Sequence, residues 1–194
     1  MKIQNDPLLV FTDWFAVANE KETIYPNAMT LATISKYGYP ESRIVLLKTF
    51  NENGFVFFTN YDGQKAQELE EMPRASICFH WKTLEKQVRI MGNVEKVSHS
   101  ESDAYFATRS RMSQIVAWAS KQSQPMESEY ELKLRVAKYA LKFHLGTVPR
   151  PDNWGGYRLK PFKFEFWEER PSRLHRRVLY EFSNNSWNHK FIFP

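Results

Sequence analysis

The 194-residue chain lacks the residue patterns that mark most cofactor and metal sites. Its single cysteine, Cys78, excludes an intrachain disulfide and gives no sign of a cysteine-based metal site. The five histidines are scattered and show no zinc-ligand spacing, so we expect no metal. Only seven glycines are present, and no GxGxxG, Walker or GxSxG motif occurs. Side chains, rather than a glycine-rich loop, must therefore hold any cofactor phosphate.

Long hydrophobic runs are also missing. No apolar stretch approaches the roughly 20 residues of a membrane helix, and the N-terminus, with Asp6 and Asp13, lacks a signal-peptide core. We therefore expect a cytoplasmic protein without membrane contact. The formal charge of +5 suits an anionic partner, either a phosphorylated small molecule or a nucleic acid.

Short segments with strand character, separated by turn residues, dominate the chain. Strands are predicted at 29–35, 43–50, 55–61, 75–81, 86–97, 157–169 and 176–182, and helices at 63–72, 98–108, 111–119 and 127–145. Segment 43–50 is apolar enough to predict burial on both faces. Asn53-Gly54 indicates a hairpin turn, and Gly92 indicates a bulge. Without a βαβ rhythm, this order favours a single mainly β domain, an antiparallel barrel with added helices.

Several cations lie where an anion could bind. Arg43 and Lys48 flank the apolar part of strand 43–50, although such residues more often simply mark where a strand reaches water. Lys65, downstream of Thr59, lies in the first turn of a predicted helix, where free N–H groups attract anions. A lone lysine there is usually only solvated.

Two further groups carry hydrogen-bonding side chains on one face. Gln87 could donate to and accept from a flat heterocycle, or could simply be an exposed strand residue. Tyr105 and Arg109 share a helix face, and Ser113 follows. Together these three residues could hold a phosphate dianion, with the arginine as a bidentate fork. A surface stack of the tyrosine and arginine is an equally good interpretation.

In the stretch FEFWEERPSRLHRR, residues 164–177, an aromatic strand is followed by a run rich in cationic residues. If 173–177 are extended, Arg173, His175 and Arg177 point to one face, on the same parity as Trp167. Such groups repel one another without an anionic ligand. A charged edge strand is the alternative, but the neighbouring tryptophan favours a ligand site.

Seven co-linear segments resemble the pyridoxine/pyridoxamine 5′-phosphate oxidase family. They are RIVLLK, FFTNY, QVRIMGNVEK, ESDAYFATR, QIVAWASKQSQP, PRPDNWGGYRLKP and FEFWEERPSRLH, in order between Asn27 and Phe182. The resemblance implies a split β-barrel homodimer with FMN at the subunit interface. It also implies oxidation of pyridoxamine or pyridoxine 5′-phosphate to pyridoxal 5′-phosphate, with O2 as acceptor and H2O2 as by-product.

Carried over position by position, the resemblance also implies site residues. FMN contacts match Arg43, Ile44, Val45, Leu46, Leu47, Lys48, Phe58, Thr59, Lys65, Gln87, Gln122, Ser123, Trp167 and Arg177. Substrate contacts match Lys48, Tyr105, Arg109, Ser113, Arg173 and His175. Of these, Arg173 would position the reacting C4′ carbon, and His175 would bind the substrate or handle a proton. Residues 1–26 would form a helical, substrate-covering segment of the one domain, and 27–194 the barrel and its helices.

The chain departs from the family pattern at Gln64, where a basic residue is usual, and at Arg176, where an acidic residue is usual. Its C-terminal WNHKFIFP also differs. Two other functions stay open: another split-barrel flavin reductase, and a non-catalytic basic module that binds nucleic acid. The segments ESDAYFATR and RPSRLH favour the oxidase, because they would contact its particular substrate.

Overall fold

In the computed structural model, which describes residues 4–194, the alternating segments form one antiparallel sheet of nine strands. The strands are β1 (Ala28–Ile34), β2 (Pro40–Leu46), β3 (Thr49–Asn51), β4 (Gly54–Asn60), β5 (Arg74–Trp81), β6 (Lys86–Lys96), β7 (Trp154–Glu168), β8 (Arg176–Ser183) and β9 (Ser186–Ile192). The helices are α1 (Pro7–Lys21), α2 (Gln64–Glu71), α3 (His99–Thr108), α4 (Arg111–Ala119) and α5 (Glu129–Lys142). The predicted class, mainly β and antiparallel with added helices, is confirmed. The sequence analysis did not predict β9.

Strand β7 gives the sheet its curled, half-barrel form. The strand order is β2-β1-β5-β6-β7-β4-β3, and β8 also pairs with β7. Along its 15 residues β7 keeps β6 on one side, while its other side pairs first with β4 and then with β8. The sheet therefore divides at β7. None of the helices in the described residues is long and apolar enough to cross a membrane.

The main core lies between the inner face of this sheet and α1. Asp6 caps the helix by accepting the Leu8 N–H at 2.8 Å, and Pro7 occupies its first turn. Phe11 is fully buried, with the ring centroids of Phe50 and Phe55 at 4.9 and 5.0 Å. Truncating such a ring to alanine costs about 3–5 kcal/mol, so this helix is tied firmly to the sheet.

Three local predictions are confirmed. Gly54 has φ +127°, a conformation open to glycine, at the hairpin between β3 and β4. The pairing of β6 with β7 shifts register between Met91 and Gly92, where the bulge was predicted. Ser98 caps α3 by accepting the Glu101 N–H at 3.1 Å, so the helix begins where the capping pattern predicts.

The prediction that 43–50 is one strand buried on both faces is wrong. Strand β2 ends at Leu46, a break follows, and 49–51 form the separate strand β3. Among the described residues β2 pairs only with β1, so it is an edge strand, and Ile44 is 64% exposed. The segment is apolar as predicted, but no other element within residues 4–194 covers the side of β2 that carries Ile44.

Helix α5 is present but packs on a different face from the predicted one. Tyr130, Leu134, Ala137 and Leu141 share a face as expected, yet all four are exposed. The helix instead packs through Val136, Tyr139, Ala140 and Phe143 against the cluster that includes α4. Two apolar stripes run along this helix, and periodicity alone does not decide between them.

The segment 173–177 is not extended throughout, contrary to the expectation. Pro171–Arg173 form a 3₁₀ turn, in which Ser172 and Arg173 have φ of +58° and +60°. Strand β8 begins only at Arg176. Pro171, whose ring fixes φ, breaks the strand register between Trp167 and the basic run.

Candidate active site

A cleft of about 640 Å³ opens between β2, β4 and the helices α2, α3 and α4. It collects most of the predicted cofactor and substrate residues from distant parts of the sequence. From the FMN set it is lined by Arg43, Ile44, Val45, Leu46, Lys48, Phe58, Thr59, Lys65 and Gln122, and from the substrate set by Lys48, Tyr105, Arg109 and Ser113. Leu47, by contrast, is 3% exposed in the main core, and Ser123, with φ +67°, is exposed beside Gln122.

One wall of the cleft holds a half-buried ammonium group. The Lys65 Nζ donates to Thr59 Oγ1 at 3.2 Å and to Gln122 Oε1 at 2.9 Å. Burial, and to a lesser degree the charge of Arg43, lowers the pKa of Lys65. The glutamine fits against this lysine because Gly63 has no side chain: a Cβ there would lie 2.6 Å from Gln122 Oε1. A cation in this environment is well suited to meet a phosphate.

Arg43 lies beside this lysine and is held by a buried carboxylate. Its guanidinium donates to Glu68 Oε2 at 3.0 Å and also to the Thr33 hydroxyl. Glu68 is 5% exposed, and its other oxygen accepts the Gln64 amide at 2.9 Å. The residue that departs from the family pattern therefore binds the carboxylate that holds Arg43.

The other end of the cleft is aromatic and cationic. Tyr105 stacks on Phe58 at 4.0 Å, and the Arg109 guanidinium lies 4.6 Å from the Trp154 ring centroid. Lys48 Nζ is 5.8 Å from the centroid of the Tyr105 ring. The arrangement is thus a lined recess, not a stack of the tyrosine and arginine on an open surface.

Arg109 has donor capacity to spare. Its Nη1 is buried and has no hydrogen-bond partner within the described part of the chain, residues 4–194. Burial lowers the pKa of this guanidinium. Nearby, the hydroxyls of Ser110 and Ser113 are 2.8 Å apart at the start of α4. An anion with several acceptor oxygens would satisfy these donors.

The remaining predicted residues lie elsewhere, on the face of the sheet opposite the core, here called the outer face. Gln87, Trp167 and Arg177 are direct cross-strand neighbours on β6, β7 and β8. The His175 ring centroid is 4.8 Å from that of Trp167, and its Nδ1 accepts the Arg170 N–H at 3.3 Å.

Arg173 is exposed in the 3₁₀ turn, at a second recess that His175 also lines. None of this outer-face group lines the cleft of the described chain. The sequence-predicted site is therefore divided into two parts within one chain.

Sequence reasoning missed several residues of this region. The Trp154 ring contacts Arg109, the buried carboxylate of Glu68 holds one arginine, and that of Glu165 holds two. Trp154 stands in the quoted segment PRPDNWGGYRLKP, but nothing in that segment alone connects it with Arg109. Among the described residues no cluster of three or more His, Cys, Asp or Glu could hold a metal ion.

Two family models match the chain, one after the other. Residues 18–143 match the family model described as pyridoxamine 5′-phosphate oxidase. Residues 154–194 match the model described as the pyridoxine 5′-phosphate oxidase C-terminal dimerisation region.

The chain is similar to curated proteins named pyridoxine/pyridoxamine 5′-phosphate oxidase. It is 51% identical to the one from Caulobacter vibrioides, over 98% of this chain and 86% of the relative. It is 49% identical to the one from Brucella canis, over 97% of this chain and 94% of the relative.

Solved structures agree on the fold. PhzG from Burkholderia lata, in complex with tetrahydrophenazine-1-carboxylic acid, matches with a TM-score of 0.92 and 30% identity, over 98% of this chain and 94% of that one. A pyridoxamine 5′-phosphate oxidase-related, FMN-binding protein from Nostoc punctiforme matches with a TM-score of 0.77 over 97% of this chain and 98% of that one. At 19% identity the second likeness concerns the fold alone. The predicted split-barrel fold is confirmed.

Proposed function

Because the chain belongs to the pyridoxamine 5′-phosphate oxidase family, we propose that it is the flavin oxidase of B6 phosphates that this membership implies. It uses FMN to oxidise pyridoxamine and pyridoxine 5′-phosphates to pyridoxal 5′-phosphate, with O2 as acceptor and H2O2 as by-product. The observation that carries the proposal is the cleft, which gathers two separate cationic ends, one around Lys65 and one around Arg109. Both the cofactor and the substrate carry a phosphate, so two such ends are needed.

The residues present fit FMN. Lys65 and Arg43 would hold its phosphate, since the first is half-buried and the second is oriented by Glu68. The side chain of Gln122 and the strand β2 would line the flavin itself. When bound, FMN supplies the two-electron acceptor chemistry, while the protein supplies binding and orientation.

Arg109, Ser113, Lys48 and Tyr105 would bind the substrate phosphate. The free Nη1 donor of Arg109 supports this role, because a phosphate oxygen would be its missing partner. The contact with the Trp154 ring, 4.6 Å from the guanidinium, would help to hold Arg109 in position. Held by its phosphate, the substrate cannot rotate freely, and its C4′ carbon is restricted to a small region.

Arg173 and His175 would bind the pyridine ring. Nδ1 of His175 accepts a backbone N–H, so in the neutral ring the proton lies on Nε2. The imidazole would therefore present a donor to the substrate, and Arg173 would position C4′.

The two parts of the site would meet in a homodimer. The C-terminal region that carries Trp167, His175 and Arg177 matches a dimerisation region, and Ile44 on the edge strand β2 is uncovered in one chain. The outer-face group of one subunit would complete the cleft of the other. We also propose a cytoplasmic location.

The decisive experiment is the visible spectrum of the purified protein, before and after anaerobic addition of pyridoxamine 5′-phosphate. We expect a flavin spectrum that bleaches with substrate and returns in air. A flavin that stays oxidised would refute this reaction and favour another flavin reductase. A colourless protein that takes up no added FMN, but binds nucleic acid with steep salt dependence, would favour the basic binding module.

A further inference from the structure

Glu165 is one of two acidic residues that are buried in the described part of the chain; Glu68 is the other. It lies within β7 and is 8% exposed. Carboxylates are almost never buried unless they are paired, because the charged form loses its hydration. Glu68 holds Arg43, a proposed FMN contact, which raises the question of what Glu165 holds.

The carboxylate binds two arginines. Its Oε1 accepts Nε and Nη2 of Arg177 at 2.9 and 2.7 Å, and its Oε2 accepts Nη1 of Arg89 at 3.2 Å. A third nitrogen of Arg177, Nη1, donates to the Phe193 carbonyl at 2.9 Å. Every nitrogen of the Arg177 guanidinium is therefore engaged, and its plane is fixed.

The strand register shows where this plane lies. Arg177 is paired directly with Trp167, and Trp167 with Gln87, so these three side chains form one row on the outer face. Glu165 precedes Trp167 by two residues and shares its face, so it lies in the neighbouring row. The carboxylate is thus beside the proposed flavin contacts without being one of them.

We propose that Glu165 is a positioning residue for FMN binding, which acts by fixing the orientation of Arg177. A guanidinium has five N–H donors, and three are used by Glu165 and Phe193. One N–H on Nη1 and one on Nη2 remain, and their directions follow from the fixed plane. This inference rests on the proposed function, because it takes Arg177 as a flavin contact.

Glu165 also limits repulsion on this face. Arg89 and Arg177 share the one carboxylate, so two cations can lie close together without an added ligand. A purely structural role would end there. A positioning role adds a requirement for geometry, and geometry can be changed while the charge is kept.

The substitution Glu165→Asp distinguishes the positioning role from the purely structural one. The variant keeps the negative charge but shortens the side chain by one methylene group, so it cannot reach Arg177 in the same way. We expect FMN to bind about tenfold more weakly, the lower end of the loss that follows when the hydrogen-bonded partner of a metal ligand is removed. The full-length protein, stripped of flavin and titrated with FMN, would show this by flavin fluorescence.

Two further variants assign the effect to Arg177. In an Arg177→Ala background, Glu165→Asp should weaken FMN binding no further, because the group that it positions is gone. Glu181→Asp is the matched control, since this carboxylate lies on β8 in exposed pairs with Lys163 and Lys190. It should leave FMN affinity unchanged.

Each other outcome has a definite meaning. If Glu165→Asp binds FMN like the wild type, or weakens binding by the same factor with and without Arg177, the positioning role is wrong. If either result is obtained while the wild type oxidises pyridoxamine 5′-phosphate, only this inference fails. If the wild type takes up no FMN, the proposed function fails and the inference with it. Thermal unfolding of each flavin-free variant separates loss of affinity from loss of fold.

Discussion

Arg109 is expected to bind the substrate phosphate at a cost to the stability of the free protein. Arg109→Met keeps an unbranched side chain as far as the position of Nε but removes the guanidinium, and with it the charge, the donors and the contact with Trp154. A guanidinium that makes two charged hydrogen bonds to phosphate contributes about 3 kcal/mol to substrate binding. Its loss should therefore raise KM roughly a hundredfold. Turnover at saturating substrate should change much less, because the group lies at the phosphate and not at the reacting carbon.

The same substitution should stabilise the free protein slightly. The buried Nη1 of Arg109 has no partner among residues 4–194, and an unsatisfied buried donor costs about 1–3 kcal/mol. The contact with Trp154, at 4.6 Å, offsets about 0.5–2 kcal/mol of this. The difference is about 1 kcal/mol, so the midpoint of thermal unfolding should rise by about 2–4 °C.

Steady-state kinetics and thermal unfolding of the flavin-free protein test both halves of this prediction. Arg111→Met is the matched control, because Arg111 donates to the carbonyls of Phe143 and Gly146, away from the cleft. It should lower the unfolding midpoint and leave KM unchanged. An unchanged KM in Arg109→Met, or an equally large loss of FMN affinity, would refute the assignment of this arginine to the substrate phosphate.

Three further predictions concern other parts of the molecule. Arg173→Ala should lower turnover more than the flavin content measured by absorbance, and equal losses would contradict its role at C4′. Burial lowers the pKa of Lys65 below the ordinary 10.5, and only the ammonium form attracts phosphate. FMN affinity should therefore be complete below that lowered pKa and fall as pH rises through it, while Lys65→Arg retains affinity to higher pH. Gly92→Ala should destabilise the fold by about 2 kcal/mol or more, because its Cβ would lie 2.3 Å from the Lys160 carbonyl oxygen; an unchanged denaturant midpoint would contradict this.

Features set within a few residues could be predicted from the sequence. The glycine turn at Gly54, the cap at Ser98 and the bulge at Gly92 each follow from local backbone chemistry. The two cationic ends of the cleft were also found, because Lys65 and Arg109 belong to recognisable segments. Their environment was not predictable, since Trp154 and Glu68 reach them only through the fold.

Features that depend on contact with a distant part of the chain, or with a second chain, could not be predicted from the sequence. The apolar pattern of 43–50 is real, but whether a strand face is covered depends on what packs against it. The two apolar stripes of α5 pose the same problem, and the tertiary contact with α4 selects the one that includes Tyr139 and Phe143. Residues 173–177 were expected to be extended, but Arg173, like Ser172 before it, has a positive φ, and no glycine marks this turn.

The outer face of the sheet connects these observations. Successive cross-strand partners run from Ile44 through Thr30, Cys78 and Arg89 to Glu165, so β2 and β7 share one continuous row. At one end of the row stands the exposed Ile44 of the cleft, and at the other the carboxylate that holds Arg177. A second chain laid across this face would cover the uncovered edge strand. In the same step it would bring its own copy of the Arg177 group to the cleft, which is the geometry that the proposed homodimer requires.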